Sequence, residues 1–349
     1  MHICKTDIYC LSHYFSSYFS KRGGDFCKSL SAIVIGMMHS CSCSTGAIST
    51  SISAISGKCF AASDSQIRYL LSNIKFQIDD QLWRCYLKMI FAFLAEGGYI
   101  KTTSKIYIQL DYTSIDTDFL VLSASIAFRG KSVPIYFSMR RYPKRKNMTN
   151  LIKMEEAFIK GLRHCLNKQY QYVIVADRGF GNARFMSLCQ ENNLEYIVRI
   201  CGDLKIEYGA KNKLNEIKYS KTLTSIFVPS WNRDADIIVK KKGDAIWYLC
   251  SNIKEIDRRA VAREYERRFK IEKLFQDQKS SGFNIENTKI RKYDRLKRLL
   301  FCTCISQALM LFTGDILKHN HHTIKKTFPQ TIALISAFSI LQKDIYSIG

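Results

Sequence analysis

Residues 257–279 contain no glycine or proline and are predicted to form one charged helix. Successive helical residues are about 100° apart, so Tyr265, Arg268, Glu272 and Lys279 share a stripe about 60° wide and about 21 Å long. The stripe sets one carboxylate among a phenol and two cations. That arrangement suits a carboxylate that holds a metal ion beside groups that hold phosphate oxygens. A surface helix with solvated charges is the simpler alternative.

The charge of the chain indicates a polyanionic partner. Its 349 residues include 53 Lys and Arg but only 30 Asp and Glu, a net charge of +23 spread along the whole length. Nucleic acid is therefore the expected partner, and no segment resembles a lipid-binding amphipathic helix. The longest apolar stretch, residues 299–312, is too short to span a bilayer and is predicted to be a buried helix. No membrane association is expected.

The 13 cysteines are predicted to be reduced core residues of a cytosolic protein. They are odd in number and lack the paired spacing of zinc sites. His319, His321 and His322 form a second candidate metal cluster, for which a solvated helix end is the favoured interpretation.

The first hundred residues are predicted to be helical. Ser63 or Asp64 is expected to cap a short helix, and a second helix is expected to end at Gly97 and Gly98. Two short helices separated by a break fit either a helix-turn-helix DNA reader or a plain helical bundle.

The middle of the chain is predicted to be a mixed α/β sheet. A three-strand meander is followed by a basic loop at residues 140–146, and helices and strands then alternate up to residue 200. Residues 201–252 are predicted to form a β-rich insertion with a hairpin turn at Gly243. The expected organisation is a helical region at 1–100, a catalytic domain at 101–290 with this insertion, and a helical region at 291–349.

Two aspartates follow predicted strands in this sheet. Asp111 is expected at the end of the first strand and Asp177 at the end of a buried central strand. Together with Glu272 they would give three hard oxygen ligands, which suit Mg²⁺ or Mn²⁺. Three carboxylates this close are expected to repel one another without metal, so the empty site should be destabilised.

Each of these assignments has a structural alternative. Asp116 or Asp118 could replace Asp111 as the ligand, and Asp177 could instead cap the next helix. Tyr265 could be a half-buried core residue, and Arg268 and Lys279 could pair with acids on their own helix. Trp231 and Trp247 could stack on bases, although core positions are favoured.

The spacing Tyr-x2-Arg-x3-Glu-x6-Lys at Tyr265, Arg268, Glu272 and Lys279 resembles the signature of a family of DDE transposases from bacterial insertion sequences, the insertion-sequence-four type. Residues 170–181, with Asp177, resemble the second catalytic block of that family, and residues 110–113 resemble its first block. The resemblance covers about residues 105–314.

The resemblance implies a ribonuclease H-like catalytic core. It assigns the metal-binding and catalytic triad to Asp111, Asp177 and Glu272, and DNA phosphate binding to Tyr265, Arg268, Lys279 and Arg178. It also implies cut-and-paste transposition of double-stranded DNA by a homodimer with Mg²⁺, or Mn²⁺ as a substitute, through a hairpin intermediate. The expected location is the bacterial cytoplasm, at the nucleoid. The alternatives are a catalytically silent DNA-binding relative and a nuclease of the same fold without strand transfer.

Overall fold

The computed structural model describes residues 5–142, 148–254, 257–280 and 282–319. Five helices precede the sheet: α1 (Lys5–Phe19), α2 (Gly24–Ser40), α3 (Thr45–Ser56), α4 (Phe60–Ser72) and α5 (Asp80–Glu96). Five more follow within and after it: α6 (Met148–Cys165), α7 (Ala183–Glu191), α8 (Arg258–Arg268), α9 (Lys270–Lys279) and α10 (Tyr293–His319).

A mixed sheet of ten strands forms the centre of the described chain, so the mixed α/β prediction is confirmed. The first five strands are β1 (Lys105–Ile115), β2 (Phe119–Phe128), β3 (Lys131–Arg141), β4 (Gln171–Ala176) and β5 (Glu195–Arg199). The others are β6 (Lys205–Tyr208), β7 (Lys211–Lys213), β8 (Lys221–Val228), β9 (Arg233–Lys242) and β10 (Ala245–Ser251). The order across the sheet is β3-β2-β1-β4-β5-β10-β9-β8-β6-β7. Strands β1, β4 and β5 run parallel, as expected where α6 and α7 make the crossovers.

The predicted insertion at 201–252 is β-rich, and its strands continue the central sheet. Strand β10 pairs antiparallel with β5, and β9 and β8 follow outward. Gly243 has a φ of +58° in the turn between β9 and β10, which confirms the predicted hairpin.

Strand β1 is longer than predicted. Its pairing with β4 ends at Leu110 opposite Ala176, but its pairing with β2 continues to Ile115 opposite Phe119. Asp111 therefore lies inside a strand rather than at its end, because the antiparallel partner extends beyond the parallel one.

The prediction of one helix over 257–279 is wrong in one respect. Phe269 interrupts the helix with φ −58° and ψ −12°, which leaves α8 and α9 as separate elements. No glycine or proline marks this break in the sequence.

The N-terminal helices form a bundle against α10, which is the second of the two predicted alternatives. Helix α4 begins at Phe60, so Ser63 and Asp64 lie within the helix and do not cap it. Arg298 of α10 donates hydrogen bonds to the carbonyl oxygens of Leu71 and Phe76, which anchors the segment after α4. Helix α5 ends before Gly97 as predicted, and it packs on β3 rather than pairing with α4 as a two-helix DNA reader.

Among the described residues, α10 is the one helix that is long and apolar enough to cross a membrane. In its apolar window, within residues Tyr293–Ile316, 83% of the residues are buried in the fold, as the sequence predicted for 299–312. Helices α2 and α3 reach that length and apolar character only when they are counted together, and they are bent by 103° at the break between them. Burial within the fold is thus sufficient to explain the apolar character of α10.

The cysteines follow the prediction in part. Twelve of them lie among the described residues, all free thiols, and seven of these are buried. Cys59 and Cys201 are exposed, so they are not core residues. The predicted cluster of His319, His321 and His322 falls largely outside the described residues, as does most of the basic loop after Tyr142.

Candidate active site

Asp111 and Asp177 are brought together by the register of two parallel strands. Leu110 of β1 lies opposite Ala176 of β4, and each aspartate is the next residue along its chain. Adjacent strands lie about 4.8 Å apart, so the two carboxylates start from neighbouring backbone positions. Asp177 does not cap the following helix, since the side chain of Asn182 accepts the hydrogen bond at the start of α7.

Helices α8 and α9 add three more side chains to this pair. The hydroxyl of Tyr265 donates a hydrogen bond of 2.9 Å to Asp177 Oδ1, and its ring is fully buried. Arg268 Nη1 donates to Asp111 Oδ2 at 2.9 Å, and its Nη2 donates to Glu272 Oε1 at 3.3 Å. Three residues of the predicted helical stripe, Tyr265, Arg268 and Glu272, therefore lie beside the two aspartates.

Arg268 is the centre of this cluster. Its Nη2 lies 3.9 Å from Asp177 Oδ2, so one guanidinium contacts all three carboxylates of the predicted triad. The arginine side chain is only 3% exposed, whereas those of Asp111, Asp177 and Glu272 are 25%, 39% and 57% exposed. The carboxylates thus face solvent on one side and a buried cation on the other.

The electrostatics of the two aspartates differ. Burial raises the pKa of the Asp111 carboxyl even though Arg268 lies beside it. Burial would also raise the pKa of Asp177, but the Arg178 backbone N–H and the Arg268 charge outweigh it and hold the pKa below its ordinary value. Burial, together with the nearby Asp177 carboxylate, raises the pKa of Tyr265 to about 12, so its hydroxyl is a hydrogen-bond donor at neutral pH.

The repulsion expected among three carboxylates is offset by the protein itself. Arg268 supplies a positive charge at their centre, and Tyr265 supplies a donor to Asp177. The sequence does not predict this compensation, because a helical stripe does not show which of its cations turns inward.

The cluster has the donor chemistry for a hard divalent ion, although the side chains now surround a guanidinium. Three carboxylates from two strands and one helix converge on a single cation, and carboxylate oxygens are the ligands that Mg²⁺ prefers. Within the described ranges, no three His, Cys, Asp or Glu side chains are grouped closely enough to hold an ion in the present arrangement. A divalent ion at this position would require Arg268 to leave its place among the carboxylates.

The remaining predicted site residues lie apart from the cluster. Lys279 Nζ pairs with Glu286 at 3.4 Å, and the side chain of Arg178 is exposed beside Asp177. Asp116, the alternative ligand, lies in the turn after β1 and pairs with Arg291 at 2.8 Å. Asp118, the other alternative, is exposed. The phosphate-binding roles of Tyr265, Arg268, Lys279 and Arg178 remain predictions.

Trp247 packs against Tyr265 and Phe269, next to the cluster. It is buried, and its ring centroid lies 5.2 Å from that of Tyr265 and 6.0 Å from that of Phe269. Trp231 is partly buried and packs against the main core. The favoured core interpretation is therefore confirmed for Trp247.

A second polar network beside the triad was missed from the sequence. The ring of Tyr112 stacks on Phe180 with centroids 5.2 Å apart, and its hydroxyl donates to Glu155 Oε1 at 3.1 Å. Glu155 also accepts a hydrogen bond from Arg184. Tyr112 and Phe180 adjoin Asp111 and Asp177 in sequence, which is a usable signal, whereas nothing marked Glu155 within its helix.

We expect the Tyr265→Phe substitution to lower the free energy of unfolding by about 1 kcal/mol, the typical value of one hydrogen bond. The ring contacts with Trp247 and Phe269 would be kept. Urea unfolding of Tyr265→Phe, Asp177→Asn and the double variant measures the coupling directly. A coupling energy near zero would show that the 2.9 Å hydrogen bond adds no net stability.

Comparison with known proteins gives a family match over the catalytic region. Residues 119–309 match the model of the transposase DDE domain. The matched range contains Asp177 and the whole stripe from Tyr265 to Lys279, while Asp111 lies just before it. No curated protein matches the chain.

Two similar solved structures are complexes of endonuclease V from Ciona intestinalis with DNA that contains an inosine followed by a ribo-adenosine. One is 13% identical and covers 51% of this chain and 87% of its own, with a TM-score of 0.27. The other, a variant form, is 14% identical and covers 62% and 98%, with a TM-score of 0.28. Similarity this low supports no inference about activity.

Proposed function

The chain belongs to the transposase DDE domain family, whose model spans more than half of it, and we propose that it catalyses metal-dependent cut-and-paste transposition of an insertion sequence. The proposed reaction is phosphodiester hydrolysis at the element ends, followed by transfer of the freed 3′-hydroxyl strands into target DNA. We further propose a ribonuclease H-like core, which the strand order β3-β2-β1-β4-β5 supports.

One observation carries the proposal: Asp111, Asp177 and Glu272 meet at a single point although they are far apart in sequence. They come from β1, from the end of β4 and from α9, and they share contact with Arg268. Three carboxylates carry more negative charge than the one guanidinium that they contact, so a cluster that served only to join these elements would not need all three.

We propose that Asp111, Asp177 and Glu272 hold Mg²⁺, for which Mn²⁺ would substitute. When bound, such ions supply Lewis-acid stabilisation of the phosphodiester and a nucleophile that is active at neutral pH. Tyr265 fixes the orientation of the Asp177 carboxylate through its hydrogen bond. Arg268 balances the carboxylates in the metal-free protein and is close enough to the triad to pair with a DNA phosphate after displacement.

The charge of the chain supports a DNA partner. A net charge of +23 favours binding to the phosphate backbone, with an affinity that falls as salt rises. Arg178 and Lys279 are the further phosphate-binding candidates. A homodimer at the synapsed ends, a hairpin intermediate and a nucleoid location in a bacterial cytoplasm belong to the same proposal and rest on the resemblance alone.

The proposal is tested by incubating the purified protein with DNA that carries the ends of its own element. We expect nicking at the ends with Mg²⁺ or Mn²⁺ and none with EDTA, followed by joining when target DNA is added. Nicking without joining under all conditions would identify a nuclease of this fold. Binding without cleavage under each metal would instead identify a catalytically silent relative.

A further inference from the structure

We propose that Gln109 is a positioning residue that fixes the junction of α8 and α9 and thereby sets Arg268 and Glu272 against the strand that carries Asp111. The inference rests on the proposed function of the cluster. Gln109 is 1% exposed and lies two residues before Asp111 on β1. Side chains two apart on a strand point to the same face, so Gln109 lies under the same helices as Asp111.

The amide of Gln109 contacts the end of α8 directly. Its Nε2 donates a hydrogen bond of 2.6 Å to the carbonyl oxygen of Arg267. The last four carbonyl groups of a helix lack partners within the helix, and Arg267 is the next-to-last residue of α8. Besides the Phe269 N–H, Gln109 therefore supplies a side-chain donor to this carbonyl at the end of the helix.

Two buried serines bind the other end of this amide. The hydroxyls of Ser125 on β2 and Ser132 on β3 both donate to Gln109 Oε1. Both serines are almost completely buried. The Arg267 carbonyl can only accept, so the NH2 group of Gln109 must face the helix, and the amide oxygen is left to accept from the two serines. Three strands thus contribute to one contact on the helix end.

The contact lies at the break between α8 and α9. The Phe269 N–H donates to the carbonyl of Glu266 at 3.3 Å, and the Glu272 N–H donates to the carbonyl of Phe269 at 3.3 Å. These are two successive three-residue turns, tighter than an α-helix. With no glycine or proline nearby, the break depends on tertiary contacts, and the Gln109 amide is one placed at its centre.

The strand therefore holds the helix end at two points. Gln109 binds the backbone carbonyl of Arg267, and Asp111 binds the side chain of Arg268. A buried amide costs stability unless it is fully hydrogen-bonded, so an apolar residue would serve better if the position only filled space. The hydrogen bond to the Arg267 carbonyl accounts for a polar residue at position 109.

Amide hydrogen exchange, followed by mass spectrometry on the metal-free full chain, tests the proposal. We expect Gln109→Leu to speed exchange in residues 266–272 by about tenfold, the effect of losing one buried hydrogen bond. Gln307→Leu is the matched control, because Gln307 is a buried glutamine of α10 bonded to Gln278 at 3.0 Å. Ser132→Ala removes one of the two hydroxyls that bind Gln109 Oε1, and we expect it to speed exchange in residues 266–272 by about threefold.

Selective faster exchange in residues 266–272 with Gln109→Leu, and not with Gln307→Leu, supports the proposal. If Gln109→Leu does not fold, the Ser132→Ala result decides in its place. Unchanged exchange in that segment, or an equal increase in the control, overturns it.

Cleavage kinetics provide a second readout. Gln109→Leu should lower kcat for end cleavage about tenfold while KM for end DNA stays within about twofold, because only the placement of Arg268 and Glu272 changes. A rise in KM with unchanged kcat would contradict a positioning role. Exchange is measured without DNA or metal, so failure of the wild-type protein to cleave would refute the proposed function and leave the test of Gln109 intact.

Discussion

Glu272→Gln is expected to abolish metal-dependent cleavage of element-end DNA, with a loss of about 10³-fold or more, while binding to the ends is kept. Glutamine has the same shape, but its neutral amide is a poor ligand for a hard divalent ion. Ligation contributes several kcal/mol of transition-state stabilisation, and each 1.4 kcal/mol is about tenfold in rate. Single-turnover cleavage and DNA-binding titrations measure the two effects separately.

The geometry excludes unfolding as the cause of such a loss. Glu272 is 57% exposed and contacts Arg268 at 3.3 Å, the type of ion pair that contributes about 0–1 kcal/mol. Glu266→Gln is the matched control, because Glu266 lies on α8 and pairs only at the surface, with Lys242 at 3.0 Å. Cleavage at the wild-type rate by Glu272→Gln would remove Glu272 from the triad. Loss of end binding as well would give it a structural role.

The position of Asp111 and Asp177 after an apolar strand could be predicted from sequence, because it depends on local rules. An apolar strand followed by an acidic residue, twice, places two carboxylates at one edge of a parallel pair. The helical stripe likewise predicted that Tyr265, Arg268 and Glu272 point the same way, and the structure brings all three to the aspartates. Periodicity is a property of a single element, so one sequence is sufficient to show it.

The features that could not be predicted depend on contacts between elements. The break at Phe269 has no mark in the sequence and coincides with the Gln109 hydrogen bond to Arg267. The helical stripe does not distinguish Lys279 from Arg268, yet Arg268 turns inward to Asp111 while Lys279 pairs with Glu286. Which of two cations becomes buried is decided by the position of the neighbouring carboxylates.

We expect Arg268→Met to lower the free energy of unfolding by about 3 kcal/mol at neutral pH in EDTA. Removing one partner of a buried ion pair costs about 3–5 kcal/mol, and the partial exposure of the three carboxylates places this case at the lower end. Methionine keeps a long side chain without the charge. Arg267→Met is the matched control: its side chain is 60% exposed and pairs with Glu264, so we expect a loss below about 1 kcal/mol.

Two conditions separate a charge effect from lost packing in Arg268→Met. The lowered pKa of Asp177 gives stability that is present above the unfolded pKa and is lost as pH falls through the folded value. The variant lacks the part of that stabilisation that the Arg268 charge supplies, which is second to the Arg178 backbone N–H, so its deficit should shrink as pH falls through the folded pKa of Asp177. Added Mn²⁺ should also recover part of the deficit at neutral pH, since a divalent cation replaces the missing charge among Asp111, Asp177 and Glu272. A deficit that stays constant with pH and with Mn²⁺ in urea unfolding would mean that Arg268 acts through packing, and that the carboxylates neither need its charge nor accept a metal in its place.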